Sequence, residues 1–216
     1  MEEACQIAIE TSAPFGSVAA GRGGDIIFSA GFEAGRRPSE LLLEPLQEAL
    51  DHVGEGVVDL VLIGTGPGSY NGSRVGIAAG QGIAIVHRCP VVGISSLEAL
   101  AEVRAGGPCL ALGDARRETF FTLELCDGKA AGDPCLSDHL EFRKRVDAAA
   151  DCGWTLVSLE EPGRLDLPGR DVRRGTPSAG LLLEAWRMRS EEERQELLGV
   201  VPEPFYLRPP HITESK

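Results

Sequence analysis

The chain has 216 residues, 43% of them hydrophobic, and a formal net charge of −12 at pH 7. This length allows one large domain or two compact ones, and the apolar content is sufficient for a buried core. Neither half of the chain has a net positive charge, which disfavours direct binding of nucleic acid because phosphate contacts need clustered Lys and Arg. A membrane-spanning helix is not expected, since Gly, Pro or charged residues interrupt every apolar stretch before 18 residues.

The cysteines indicate a reducing environment. None of the six forms a CxxC pair, and the start of the chain lacks the pattern of a signal peptide. Cys5, Cys109 and Cys126 fall in apolar runs typical of strands, where buried free thiols are common. The sequence therefore predicts a cytoplasmic protein with reduced cysteines.

The first half of the chain predicts three short strands followed by alternating helices and strands. Its first amphipathic helix should be kinked at Pro45. A later helix should begin with a capping box formed by Ser95 and Glu98. The predicted strands cover residues 4–10, 15–21, 25–31, 59–63 and 90–94, and the helices before the capping box cover about 39–53 and 74–87.

The second half repeats this order in outline, without a residue-level repeat. Its predicted strands are 108–112, 119–126 and 154–159, its helices are about 138–150 and 177–194, and an extended Pro-rich end covers 202–210. The Gly106-Gly107-Pro108 break separates the two halves. We therefore expect an α/β fold with one domain over residues 1–106 and a second over 107–216.

A glycine-rich segment joins the buried strand at 59–63 to the helix at 74–87. Free backbone N–H groups and the helix dipole favour an anion at such a junction, so phosphate binding is one interpretation. The segment is neither a Walker A loop nor a GxGxxG fingerprint, because no Gly-Lys-Ser/Thr follows and the glycine spacing differs. Its candidate residues are Gly64, Gly66, Gly68, Gly72 and Arg74.

The helix after this segment carries interior glycines, each of which costs a helix about 1 kcal/mol relative to alanine. Gly76 and Gly80 lie four residues apart and leave one helical face nearly bare, so another helix or backbone can approach closely there. That face packs either on the protein's own sheet or on another subunit. The sequence leaves both interpretations open.

No persuasive catalytic or metal-binding set occurs in the sequence. The four histidines, His52, His87, His139 and His211, lack the spacing of metal ligands. No GxSxG elbow is present for a serine nucleophile. The charged segment that begins at Asp114 is most simply a salt-bridged turn.

Several blocks follow the order and spacing of one protein family. In chain order they are IAIETSAPFGSVA at residues 7–19, SELLLEPL at 39–46, GTGPGSYNGSRVGIAAGQGIA at 64–84, PVVGISSLEALA at 90–101, GDARRETFF at 113–121 and PFYLRPP at 204–210. Through these blocks the chain resembles the TsaB family over nearly its whole length. The long glycine block is the most specific part of the resemblance.

The resemblance implies an actin-like, RNase H-like ASKHA fold of two related βββαβα domains. It also implies a non-catalytic subunit in tRNA modification that pairs with TsaD, the catalytic paralogue, and works with the ATPase TsaE. The complex transfers a threonylcarbamoyl group to the adenosine next to the anticodon. ATP or ADP and metal are then expected on the partner subunits, tRNA binds only through the complex, and the chain alone is expected to form a homodimer.

In this family, two helices of the N-terminal domain form the surface that pairs with TsaD. The resemblance therefore places the partner interface at Leu42, Leu46, Gly76, Gly80 and Ile83. It further predicts that a bulky residue at Gly80 weakens pairing while the monomer stays folded.

The chain also departs from the patterns of both relatives. TsaD carries metal-binding histidines on the helix that corresponds to residues 39–53, and no histidine stands at the start of that helix here. TsaB usually has histidine where Pro38 stands, threonine at Asn71 and leucine at Ser73. We therefore expect no metal site of the TsaD kind, and these departures leave details of the loop and partner surface open.

Two enzymatic alternatives remain beside the adaptor role. One is an ATP-dependent ASKHA phosphotransferase, which needs a catalytic carboxylate and phosphate loops in both domains, whereas the second half has no matching Gly-rich loop. The other is a glycoprotease-like peptidase, which needs a metal or an activated nucleophile.

Overall fold

The computed structural model describes residues 4–33, 38–54, 56–161 and 163–207. Its strands are β1 Cys5–Glu10, β2 Phe15–Arg22, β3 Asp25–Glu33, β4 Val58–Gly64, β5 Val91–Ile94, β6 Cys109–Asp114, β7 Phe120–Cys126, β8 Lys129–Ala130, β9 Cys135–Ser137, β10 Thr155–Ser158 and β11 Val172–Arg174. Its α-helices are α1 Pro38–Leu41, α2 Leu43–Val53, α3 Tyr70–His87, α4 Ala101–Arg104, α5 His139–Asp151, α6 Ala179–Arg187 and α7 Glu191–Leu198, and a 3-10 turn covers Ser96–Ala99. Among the described residues, no helix is long and apolar enough to cross a membrane.

Two mixed sheets share one strand arrangement. The first has the order β3-β2-β1-β4-β5, with β1 antiparallel to β2 and parallel to β4. The second has the order β11-β10-β6-β7-β8, with β6 antiparallel to β7 and parallel to β10, while β9 also pairs with β7. In each sheet the first strand is central, between an antiparallel hairpin and parallel strands. The predicted pair of related α/β units is therefore confirmed.

Both faces of the first sheet are covered, which explains the continuous apolar runs of its central strands. On one face, Ile9 and Ile63 lie in a cluster with Leu46, between the sheet and the helices α2 and α3. On the other face, Leu62 lies in a cluster with Leu182 of α6. The helix that covers this second face therefore comes from near the end of the chain.

The second sheet is likewise covered on one face by a segment from the other half of the chain. Phe142 of α5 packs on one face. Residues 96–104 pack on the other, where Leu100 and Ala111 share a cluster, although this segment directly follows the first sheet in sequence. The predicted boundary at Gly106 separates the strands of the two sheets, but it is wrong for the helices. Each sheet has an apolar face left to bury, and the helix that covers it belongs to the other half of the chain.

The predicted helix at 39–53 is two helices, and the break is not at Pro45. The helix α1 ends at Leu41, α2 begins at Leu43, and Leu42 is buried between them. Pro45 lies in the first turn of α2, where a backbone N–H has no partner within the helix. Proline therefore costs the helix no hydrogen bond at this position.

The predicted capping box at Ser95 and Glu98 is wrong. Ser95 makes no side-chain cap, and the segment forms a 3-10 turn followed by the short α4. Glu98 is buried, and its Oε2 accepts a hydrogen bond from the Arg189 guanidinium at 2.5 Å. The carboxylate thus joins the first unit to the chain between α6 and α7 instead of capping a helix.

The predicted helix at 177–194 is also two helices. The first, α6, ends at Arg187, and Ser190 begins α7 with a capping box to Glu193. The strands β8, β9 and β11 are absent from the sequence prediction, because strands of two or three residues carry little periodic signal. The other predicted elements are confirmed, with ends that shift by up to four residues.

The turn after β6 has the predicted internal salt bridge. Asp114 Oδ1 accepts the backbone N–H of Arg116 at 2.6 Å. The Arg116 guanidinium lies 3.7 Å from Asp114 Oδ2.

Among the described residues, none of the six cysteines forms a disulfide. Cys5 and Cys109 are buried as expected, and burial raises the pKa of the Cys109 thiol. The prediction is wrong for Cys126, which is exposed at the end of β7.

Candidate functional site

The glycine-rich segment lies where the carboxyl ends of the parallel strands β1 and β4 meet. In an open α/β sheet of this order the chain leaves these strands toward opposite edges, and ligands usually bind in the crevice between them. In this protein the chain itself fills the crevice. The Glu10 side chain at the end of β1 lies directly over Gly64 at the end of β4 and leaves no room for a β-carbon there.

Two further glycines let the loop and α3 pack closely on the chain that leaves β1. A β-carbon at Gly68 would overlap the Ser12 carbonyl oxygen, and one at Gly72 would overlap the Thr11 carbonyl oxygen. The Ser69 N–H donates to the Ser12 carbonyl at 2.6 Å, and the Thr11 hydroxyl donates to the Gly72 carbonyl at 2.7 Å. These glycines therefore serve close backbone packing.

Two backbone N–H groups of the segment donate to side chains of the protein itself. The Gly66 N–H donates to Ser96 Oγ at 3.0 Å. The Gly72 N–H donates to Ser69 Oγ at 3.1 Å, which caps α3. This geometry disfavours the interpretation of the segment as a phosphate-binding loop.

The remaining residues of the loop differ in exposure. Arg74 is exposed, and its guanidinium donates to the Tyr70 hydroxyl at 2.7 Å. Asn71 is also exposed, whereas Ser73 is buried, and Pro38 is the first residue of α1. Of the two departures from the TsaB pattern within the loop, Asn71 is therefore at the surface and Ser73 is not.

Glu10 is fully buried beneath the loop. Its Oε1 accepts the Ser12 N–H at 2.6 Å, and the Ser96 side chain lies beside the carboxyl group. Burial raises the pKa of Glu10, and hydrogen bonds from Ser96 and Ser12 offset part of that rise. Sequence reasoning missed this residue, although a carboxylate at the end of the apolar strand CQIAIE was a signal that could have found it.

Replacing Glu10 by glutamine should raise stability relative to the wild type as the pH increases. The folded-state pKa lies above the reference value of 4.5, so the folded chain holds the proton more tightly than the unfolded chain. The stability contributed by the protonated form is complete below about pH 4.5 and is lost as the pH rises through the folded pKa. Glutamine cannot ionise, so the advantage of Glu10→Gln should grow steadily as the pH rises from about 4.5 toward neutral.

Urea denaturation at several pH values from about 4.5 to 8 measures this difference. The matched control is Glu48→Gln, because Glu48 is an exposed carboxylate of α2. A difference between Glu10→Gln and the wild type that stays constant over this range would contradict the ionisation argument.

The structure places the predicted partner residues of α1, α2 and α3 in the protein's own core. Leu42, Leu46 and Ile83 are buried in the cluster between the first sheet and its helices. Their side chains are therefore not available to a partner, and the prediction is wrong for them as surface residues. Hydrophobic spacing identifies an apolar helical face, but it does not say whether that face meets a sheet or a subunit.

The bare face of α3 likewise packs on the first sheet. A β-carbon at Gly80 would lie 2.5 Å from Ile63 Cδ1, and one at Gly76 would lie 2.5 Å from Thr11 Oγ1. The intrasubunit interpretation of these glycines is therefore correct. A bulky residue at Gly80 would displace the β4 side chains beneath the helix, so we expect it to cost stability in addition to any effect on pairing.

The opposite side of α3 is uncovered in the described chain. Ala78 and Gly82 are exposed there, and a β-carbon at Gly82 would meet nothing within 4 Å. Ile85 and Val86 are 79% and 76% exposed. We call these four residues the outer face of α3. The exposed side of α3 also carries Arg74 and Gln81, but glycine, alanine and apolar residues occur on both sides, so the sequence separates the outer face from the inner one only weakly.

Within the described residues, no group of three His, Cys, Asp or Glu side chains is arranged to hold a metal ion. His87 Nδ1 lies 3.2 Å from the Val58 N–H, which can donate to it, and His52 contacts a carbonyl of its own helix. His139 packs against a ring of β7, and His211 lies outside the described residues.

Sequence comparisons connect the chain to known proteins. A family model described as TsaD, tRNA N6-adenosine threonylcarbamoyltransferase, matches residues 32–138. The tRNA threonylcarbamoyladenosine biosynthesis protein TsaB of Haemophilus influenzae is 31% identical over 195 residues, which cover 81% of each chain. The Escherichia coli protein of the same name is 33% identical over 99 residues, which cover 44% of this chain and 42% of that protein.

Solved structures from Pseudomonas aeruginosa share the fold. One, described as an uncharacterized protein with similarity to peptidase YeaZ, has a TM-score of 0.72 at 27% identity and covers 95% of this chain and 100% of its own. Another, described as YeaZ, has a TM-score of 0.68 at 24% identity and covers 94% of this chain and 100% of its own.

Two sheets with a central first strand, joined by exchanged helices, define an α/β protein of the actin-like, RNase H-like ASKHA class. Identity of 31% over four-fifths of its length to a TsaB protein establishes the family within that class. The chain belongs to the TsaB family, as the sequence blocks predict.

Proposed function

We propose that this chain is a non-catalytic subunit in the synthesis of threonylcarbamoyladenosine in tRNA, and that it pairs with a TsaD-like catalytic relative and works with a TsaE-like ATPase. One observation carries the proposal: the chain fills its own crevice with Glu10 and the glycine loop, while the outer face of α3 is uncovered. A subunit of this form offers a surface to a partner more readily than a site to a substrate. Membership of the TsaB family and the match to the TsaD family model support it.

The outer face suits a helix of a related subunit. Ala78 and Gly82 lie four residues apart, so a second helix can approach closely. Ile85 and Val86, with the half-exposed Leu41 of α1, supply apolar area around them. The TsaD family model matches a region that contains α1, α2 and α3, so a TsaD-like partner is expected to carry a comparable group of helices.

The same surface can pair with a second copy of the chain. Two similar helix groups related by a two-fold axis would bury the outer faces against each other. A homodimer is therefore proposed for the isolated chain, with the TsaD-like partner replacing one copy.

Charge supports a division of labour within the complex. The net charge of −12 disfavours direct phosphate contacts, so the basic contacts to tRNA should come from other subunits. We also propose that ATP or ADP and metal bind to the partner subunits. The filled crevice supports this assignment, because a phosphotransferase of this fold class needs space for phosphates at the ends of β1 and β4.

Replacing Ile85 by aspartate should abolish pairing while the monomer stays folded. Ile85 is 79% exposed, so the substitution costs the monomer little, but an interface would bury the new carboxylate without a partner. We expect affinity for the TsaD-like protein of the same organism to fall by about 30-fold or more. Size-exclusion chromatography with light scattering measures pairing, and tRNA modification by the mixture measures its consequence.

The matched control for this experiment is Leu140→Asp. Leu140 is 66% exposed on α5, far in sequence from the outer face of α3, and the same charge is introduced there. Pairing by Ile85→Asp with the affinity of the wild type would contradict the assignment of the outer face of α3 as the partner surface. Modification activity or ATP hydrolysis by the isolated wild-type chain would instead favour the phosphotransferase alternative, and proteolysis that stops on chelation would favour the peptidase.

A further inference from the structure

The chain after α7 runs over the carboxyl ends of β4 and β5 and the glycine loop that follows β4. The Phe205 N–H donates to the Thr65 carbonyl at 2.8 Å. Pro202 is buried against Gly93, where an added β-carbon would lie 3.3 Å from Pro202 Cβ. The predicted packing of the Pro-rich end against the body is thus confirmed for residues 202–207, which we call the C-terminal strap, while residues 208–210 lie outside the described chain.

The strap touches both units of the fold. At its far end, Leu207 packs against the cluster in which Leu100 and Ala111 bring residues 96–104 and the second sheet together. In between, the Tyr206 ring stacks on the Tyr70 ring at the start of α3, with 5.2 Å between centroids. The strap therefore runs from the glycine loop to the contact between the two units.

The strap makes few hydrogen bonds and few buried contacts with the rest of the protein. Among the described residues, its one backbone hydrogen bond outside the strap itself is that from Phe205 to Thr65. Phe205 and Tyr206 are 36% and 39% exposed, in contrast to the fully buried Leu182 of α6. A segment with so few buried contacts opens at a lower free energy than the core.

We propose that the strap is a releasable clamp on the glycine loop: bound, it holds the loop in place between Thr65 and Tyr70, and released, it lets residues 65–69 open independently of the core. The Phe205–Thr65 hydrogen bond acts as the latch, because it joins the strap to the first residue after β4. The Tyr206–Tyr70 stack couples release of the strap to the start of α3. This device would regulate the exposure of Glu10, which the loop buries, whichever partner the outer face of α3 binds.

The test is amide hydrogen exchange of the full-length protein with Phe205→Pro. Proline removes the N–H donor, and residue 205 lies outside every helix and strand, so no ladder or helical hydrogen bond is lost with it. We expect exchange over residues 65–69 to accelerate by about five- to ten-fold, while exchange over β7 is unchanged. The matched control is Phe205→Ala, which keeps the N–H and should exchange like the wild type.

Three results would overturn the proposal. Unchanged exchange over residues 65–69 in Phe205→Pro would show that the strap does not hold the loop. Equal acceleration in Phe205→Ala would remove the hydrogen bond as the latch. Equal acceleration over β7 would make the strap part of the cooperative core. Chain truncation after Gly199 provides the second variant, and it should accelerate exchange in the loop at least as much as Phe205→Pro.

Discussion

Replacing Leu182 by alanine is expected to loosen the first sheet, although Leu182 lies near the end of the chain. Leu182 is fully buried on α6 and shares a cluster with Leu62 and Val92 of the first sheet. Truncating a buried leucine costs about 2–5 kcal/mol. That is a large fraction of the stability of about 5–15 kcal/mol that is usual for a domain. Urea denaturation measures the loss, and hydrogen exchange locates it.

The location of the effect distinguishes the exchanged arrangement from two sequential domains. Leu182→Ala should accelerate amide exchange, relative to the wild type, more in β1 and β4 than in β10, which lies in the second sheet. Met188→Ala is the matched control, because Met188 is 60% exposed just beyond the end of α6 and should change stability by no more than about 0.5 kcal/mol. Acceleration confined to the second sheet would refute the packing of α6 described here.

Replacing Gly72 by alanine is expected to destabilise the protein by about 3 kcal/mol or more. The new β-carbon would overlap the Thr11 carbonyl oxygen, and backbone cannot move aside as a flexible side chain can. Either α3 shifts away from β1, or the hydrogen bond from the Thr11 hydroxyl to the Gly72 carbonyl is lost. Thermal unfolding of the purified variant measures the cost.

Gly82→Ala in the same helix provides the matched control. A β-carbon at Gly82 would meet nothing within 4 Å, so the substitution should raise stability by up to about 1 kcal/mol through helix propensity. Equal effects of alanine at the two positions would contradict the assignment of Gly72 to a close backbone contact. The two substitutions together separate the inner side of α3 from the outer one.

The inner glycines of α3 serve folding, and not pairing, in the proposed function. Gly76 and Gly80 hold α3 on its own sheet, so substitutions there test folding and not pairing. Pairing is tested on the outer face, at Ile85, where a substitution should change the stability of the monomer little. The proposed partner surface thus stays on the helices that the sequence indicates, but on the side that faces away from the core.

The sequence by itself determined the longer strands and the approximate positions of the longer helices, because local periodicity and turn residues report burial within one element. It also located the glycine segment and predicted two related α/β units. It could not determine the role of that segment, since Gly72 and Thr11 are 61 residues apart and meet only in the folded chain. A glycine needed for close packing and a glycine needed for an anion look alike in sequence.

Only the tertiary structure decided which sheet each helix covers and which side of α3 is free. The helix α6 has an apolar face that would suit either sheet, and the exchange with residues 96–104 follows from how the two units fit together. The burial of Glu10 has the same origin: a carboxylate at the end of a strand is ordinary until a loop from elsewhere in the chain closes over it and removes its water. Contacts between distant segments set these features, and a one-dimensional pattern of residues does not contain them.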